Sequence, residues 1–127
     1  MARIHPIYKG QGPLRIHLEL SGMVQAGYHV SLTAPNTSEP YFEAHGHTAD
    51  DPKPLLKVPG KIDQHHGSVL MVTAMVAAVS QGLTTPHALR YAVRQKRSIA
   101  EWVEVQGEAY SEPVPYDLFA VLKLAES

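Results

Sequence analysis

Cysteine is absent from the 127-residue chain, and its absence excludes thiol nucleophiles, zinc–thiolate centres and disulfide frameworks. Net charge is almost absent as well. With 11 basic and 12 acidic side chains the formal charge is −1, so no global field draws the protein to nucleic acid or to an anionic membrane, and such a partner would need a local patch. No apolar stretch approaches the ~20 residues that a helix needs to cross a hydrocarbon core. The longest covers 69–79 and is interrupted by Thr73. The first ten residues hold no apolar core of the secretory type, so a soluble, cytoplasmic protein with no membrane partner is expected. Two catalytic or binding signatures are also missing. Gly10-Gln11-Gly12 precedes a strand pattern where a phosphate-binding loop would follow one, and no serine stands in a G-x-S-x-G elbow.

What remains is an ordinary globular mixture, 44% hydrophobic and 18% charged, of a length that buries roughly two-thirds of the unfolded surface in one core. A single compact domain over 1–127 is expected. Pro6, Gly10, Gly12 and Pro13 make 1–13 an extended N-terminal arm that ends in a turn. From Leu14 the pattern alternates strictly, Leu14, Ile16, Leu18 and Leu20 against Arg15, His17, Glu19 and Ser21, which describes a half-buried strand. Alternation resumes with Tyr28, Val30, Leu32 and Ala34 against His29, Ser31 and Thr33. The two strands are expected to pair as an antiparallel hairpin. Further strands are expected over 41–48, 55–58 and 101–110, with Pro59-Gly60 suited to a type II turn.

The middle of the chain, G-S-V-L-M-V-T-A-M-V-A-A-V-S-Q-G over 67–82, has two readings by period alone. Its alanines and methionines, Ser68 as N-cap and Gly82 as a stop predict a buried central helix over 68–81. Thr85-Pro86 predicts a second helix start, with Leu89, Ala92, Val93 and Ala100 on one face. Asp117 would cap a last helix over 118–126, although Leu118, Ala120, Leu122 and Leu124 also suit a strand. The expected class is therefore α+β, an antiparallel sheet started by the hairpin and packed against the central helix and one or two others. A helix apolar on every side would leave one face unburied in a lone subunit. A homo-oligomer follows as an expectation.

Eight histidines is a high count for this length, and four of them fall between His45 and His66. His45-Gly46-His47 places two imidazoles on one side of a strand, and Asp51, His65 and His66 could complete a shell for a divalent ion: zinc, manganese, iron or nickel. His17 and His29 would share the polar face of the hairpin with Glu19. A carboxylate that holds an imidazole in one tautomer is the usual way to build a general acid or base near neutral pH. Arg90, Arg94 and Arg97 would form one helical stripe suited to phosphates, but the near-zero net charge weighs against nucleic acid. The function expected is that of a small oligomeric enzyme using a histidine/carboxylate cluster on a small polar substrate. The alternative is a non-catalytic self-assembling or protein-interaction module, with nucleic-acid binding third.

Overall fold

The computed structural model describes residues 3–79, 84–96 and 101–125. Those residues form nine strands: β1 Arg3–Ile7, β2 Leu14–Ser21, β3 Val24–Thr33, β4 Pro40–His47, β5 Leu55–Val58, β6 Val69–Ala78, β7 Thr85–Arg94, β8 Val103–Ala109 and β9 Val114–Leu124. One 3-10 turn, Ile62–His65, lies between β5 and β6. No α-helix occurs among the described residues, so the α+β expectation is corrected to an all-β architecture.

The three expected helices are strands for a common reason. In β6, Leu70, Val72, Ala74, Val76 and Ala78 point inward and are buried, whereas Val69, Met71, Thr73, Met75 and Ala77 point outward. The outward set is almost as apolar as the inward one, so the period of two is invisible in a hydropathy pattern. In β7, His87, Leu89 and Tyr91 are buried, while Arg90 and Arg94 share the outer side. Pro86 falls near the strand start, where a missing donor costs the ladder little. In β9, the alternation from Leu118 to Leu124 that also suited a strand is the one that holds. Ser80, Gln81, Gly82, Arg97, Ala100 and Glu126, which entered the helix readings, lie outside the described residues.

The strands form two sheets. A five-stranded sheet has the order β1-β9-β6-β3-β4, and a four-stranded sheet has the order β5-β2-β7-β8. All pairs are antiparallel except β1 with β9, so part of the expected extended N-terminal arm adds a parallel edge strand, with Arg3 opposite Ala120 and Ile7 opposite Leu124. One core is built from both sheets. Ile7, Val30, Leu32, Leu70, Val72 and Leu122 from the larger meet Leu14, Ile16, Leu18, Val58, Tyr91 and Val103 from the smaller. Sheet packing of this kind puts alternate residues of every strand into one apolar layer. A second cluster of smaller side chains, among them Ala26, Ala74, Val76, Leu89 and Ala109, closes one end.

The expected hairpin is also corrected. Strands β2 and β3 do not pair with each other: β2 pairs with β5 and β7, and β3 pairs with β4 and β6. The chain crosses from one sheet to the other at Ser21-Gly22-Met23. Gly22 has φ +110°, and a Cβ there would lie 2.6 Å from the Pro86 carbonyl oxygen, so both the turn and the close approach require glycine. Two apolar alternations that face one core from opposite sheets look the same in sequence as two that share a sheet.

A buried leucine on the inner side of β6 should behave unlike an exposed residue beyond its end. Leu70→Ala is expected to cost about 2–5 kcal/mol in urea unfolding. Gly107→Ala, whose new Cβ would collide with the Tyr116 hydroxyl, is expected to cost about 1–3 kcal/mol. Val79→Ala, at a position 56% exposed, should stay within about 0.5 kcal/mol of the parent. Equal losses for Leu70→Ala and Val79→Ala would contradict the strand assignment.

Candidate functional site

Residues that share a face of a strand also share it with their partners across the ladder. On the outer face of the five-stranded sheet, His45 of β4 stands opposite His29 of β3, His29 opposite Thr73 of β6, and Thr73 opposite Asp117 of β9. Four adjacent strands thus carry one transverse polar row. Over it lies a groove of ≈ 340 Å³, lined by these four side chains together with Tyr28, Met75 and Pro115. The Thr73 hydroxyl donates to the His29 carbonyl at 3.3 Å, and His29 Nε2 lies 3.6 Å from a Glu43 carboxylate oxygen on the neighbouring strand. With strands ~4.8 Å apart, Asp117 sits two strands, or ~10 Å of backbone, from His29. This arrangement can orient a polar ligand. It does not set the carboxylate against the imidazole.

The structure brings one residue of each predicted group to this groove, His29 and His45, and disperses the rest. His47 projects from the same face of β4, but its Nδ1 accepts a hydrogen bond from the Ala49 amide at 3.0 Å. Asp51 caps its own loop by accepting from the Lys53 amide at 3.0 Å. His66 Nδ1 accepts from the Leu124 amide at 2.9 Å and so anchors the end of β9. His65 is buried. Its Nδ1 shares a 2.8 Å hydrogen bond with the Tyr41 hydroxyl, which also bonds the buried Ser68 hydroxyl at 2.8 Å. Among the described residues no three histidine, aspartate or glutamate side chains come together as a metal-binding group. The residues of the expected set, His45, His47, Asp51, His65 and His66, thus stand apart from one another, and local backbone bonds use lone pairs of His47, Asp51 and His66.

His17 and Glu19 face outward from the four-stranded sheet, on the opposite side of the molecule from His29. The expected catalytic trio of His17, Glu19 and His29 is thereby divided between two faces. Glu19 is held by Arg90, its cross-strand partner, at 2.9 Å, and that hydrogen bond keeps its carboxyl below the usual range. Trp102 covers this surface. The Arg90 guanidinium lies 4.1 Å from its ring centroid, and the His17 ring lies 5.1 Å away on a tilted plane. Burial first, and then the Arg94 charge, hold His17 below its ordinary pKa, so as a neutral ring its Nδ1 can accept from Arg94 at 3.3 Å.

Sequence reasoning missed a set of histidine–tyrosine pairs that tie the two sheets together. His5 Nε2 on β1 bonds the Tyr91 hydroxyl on β7 at 2.8 Å, and His87 Nε2 on β7 bonds the Tyr116 hydroxyl on β9 at 2.8 Å. Gly107 leaves the room that Tyr116 needs. Each pair satisfies polar groups that would otherwise be stranded between two sheets. Their only signal was inward parity, since His5 and His87 fall on core-facing positions of β1 and β7. Burial pushes Tyr91 up to about 12 and holds His5 and His65 below the ordinary histidine value.

These shifts predict a pH dependence of stability. The unfolded chain protonates His5 and His65 near 6.5, whereas the folded chain takes up those protons only at lower pH. Below 6.5 the unfolded state therefore binds more protons, and stability is lost as the pH falls through that value. The lowered Glu19 carboxyl adds a second loss below its ordinary 4.5. Thermal midpoints measured from about pH 8 down to about pH 5 should fall, and His65→Gln should flatten the slope near neutrality. A midpoint that rises over the same interval would contradict the burial of these rings.

Compared with known proteins, the chain matches no family model, no curated protein and no solved structure.

Proposed function

We propose that the protein is a non-catalytic, self-associating interaction module that joins a second copy through the outer face of its five-stranded sheet. One observation carries the reading: that face exposes Ile4 (52%), Val69 (37%), Met75 (50%) and Phe119 (52%), grouped on its β1, β9 and β6 side. The register groups them. Ile4, Val121 and Val69 form one transverse file across β1, β9 and β6, Phe119 and Met71 form the next, and Pro115 and Met75 lie beyond the Thr73–Asp117 pair. Contiguous apolar rows of this extent on a sheet face mark interaction surfaces.

A two-fold axis parallel to the strands and passing over β9 reverses the strand order of the facing sheet and sets Phe119 and Val121 against the partner's Phe119 and the partner's Val121, and Ile4 against the partner's Val69. The formal charge of −1 offers no repulsion between copies. In this reading neither nucleic acid nor a membrane is the partner, and a cysteine-free chain assembles without help in the reducing cytoplasm.

A second reading draws on the groove itself, which sets His29, His45 and Asp117 around a volume of ≈ 340 Å³. There a histidine acting as acid or base on a small polar substrate would work at the same surface.

Light scattering across a concentration series decides between them. The parent protein is expected at twice the monomer mass, and Phe119→Glu or Met75→Glu is expected to return it to monomer with its fold intact by circular dichroism. A parent that stays monomeric at every concentration would reject the module reading and leave the groove free for the second.

A further inference from the structure

The opposite face of the sandwich carries a different pattern. Arg15 at the start of β2 stands directly opposite Lys57 of β5 on one side and Arg94 of β7 on the other. Leu14 and Ile16 are buried, so Arg15 and both partners point outward on one transverse row. Three cations on three adjacent strands sit ~5 Å apart at their Cβ atoms, and like charges placed directly opposite destabilise a sheet.

Nothing within the described chain relieves this row. No ion pair reaches Lys57, Arg15 or Arg94; the nearby carboxylate, Glu19, is taken by Arg90 at 2.9 Å and lies 4.0 Å from Lys53. Strand β8 ends its pairing at Tyr91 opposite Val103, so its glutamates stop short of Arg94. Glu104 in any case accepts from Gln106 at 2.9 Å. The Arg15 Nε is buried and has no hydrogen-bond partner among the described residues, an arrangement that costs free energy. On the next row His17 Nδ1 contacts Arg94 at 3.3 Å and His17 packs on Trp102, so one cation of the row is oriented by an aromatic wall.

We infer that the Lys57–Arg15–Arg94 row is a binding site for a multiply charged oxyanion, a terminal phosphate or a pyrophosphate group. Arginine forks match two oxygens at once, a dianion offsets the repulsion that three cations create, and the lysine adds a point charge at the edge strand. The site is independent of the self-association surface, which lies on the other sheet.

Trp102 is the only tryptophan of the chain, so its emission reports on this surface alone. The experiment is a titration of the full chain with pyrophosphate at constant ionic strength, followed by Trp102 fluorescence and by thermal midpoint. A saturable change is expected with pyrophosphate and with a phosphate monoester, together with a rise in midpoint. Arg15→Gln and Lys57→Gln should each weaken binding at least tenfold, and Lys123→Gln on the far sheet should not. Without ligand, Lys57→Gln should melt at or above the parent temperature, because it removes a repelled charge; this keeps the test readable if Arg15→Gln folds poorly. Sodium chloride producing the same change at matched ionic strength would overturn the site. So would row variants that bind as tightly as the parent. Tighter binding of a single-stranded oligonucleotide than of pyrophosphate would overturn the terminal-phosphate assignment.

Discussion

The double-sided pairing of β6, with β3 along one edge and β9 along the other, is the constraint on which the rest of the structure depends. A strand with neighbours on both sides has every backbone donor and acceptor committed to a ladder. Its inner side chains, Leu70 to Ala78 in alternation, then have to be covered by a second sheet. The four-stranded sheet supplies that cover through Leu14, Ile16, Leu18 and Tyr91. The parallel addition of β1 to β9 extends the same sheet and brings Ile7 and His5 inward. Each of these placements follows from the need to bury one side of β6.

Closing two sheets over one another leaves little freedom for polar groups between them. The molecule resolves this with hydrogen bonds that span the gap: His5 to Tyr91 and His87 to Tyr116 run from one sheet to the other, and Tyr41, His65 and Ser68 seal the entry to β6. Gln95 does the same for the connection that follows β1. Its side chain accepts from the Tyr8 amide at 2.9 Å and donates to the Tyr8 carbonyl at 2.8 Å. In a low-dielectric interior such bonds fix the relative position of the sheets more narrowly than apolar contact does. Four of the chain's eight histidines, those at 5, 65, 66 and 87, are thus committed to architecture.

The two outer faces divide the surface chemistry. The five-stranded side exposes apolar side chains on β1, β9 and β6 beside polar ones on β3 and β4, and the four-stranded side carries Arg15, Arg90, Arg94, Lys53, Lys57 and Trp102. Period-two alternation forces this separation, because each strand can send only one of its parities outward and each sheet faces solvent on only one side. The division explains why residues adjacent in sequence pattern, such as His17 and His29, act in unrelated places.

The sequence by itself determined where several strands run. Alternation was strict at β2, at β8 and through much of β3, and prolines and glycines bounded β5, so those elements were legible. It also determined which residues of β2 face solvent, since parity alone decides that. It could not distinguish strand from helix over 69–78, because both parities there are apolar and no local rule chooses between periods. Nor could it pair the histidines. Whether β2 joins β3 in one sheet or crosses to another depends on which distant strands compete for their edges, and those partners lie up to 79 positions away, as from Arg15 to Arg94. The tertiary structure alone decided that the His45–His29–Thr73–Asp117 row and the Lys57–Arg15–Arg94 row exist, because each is assembled across strands that are remote in the chain and adjacent only after the sheets form.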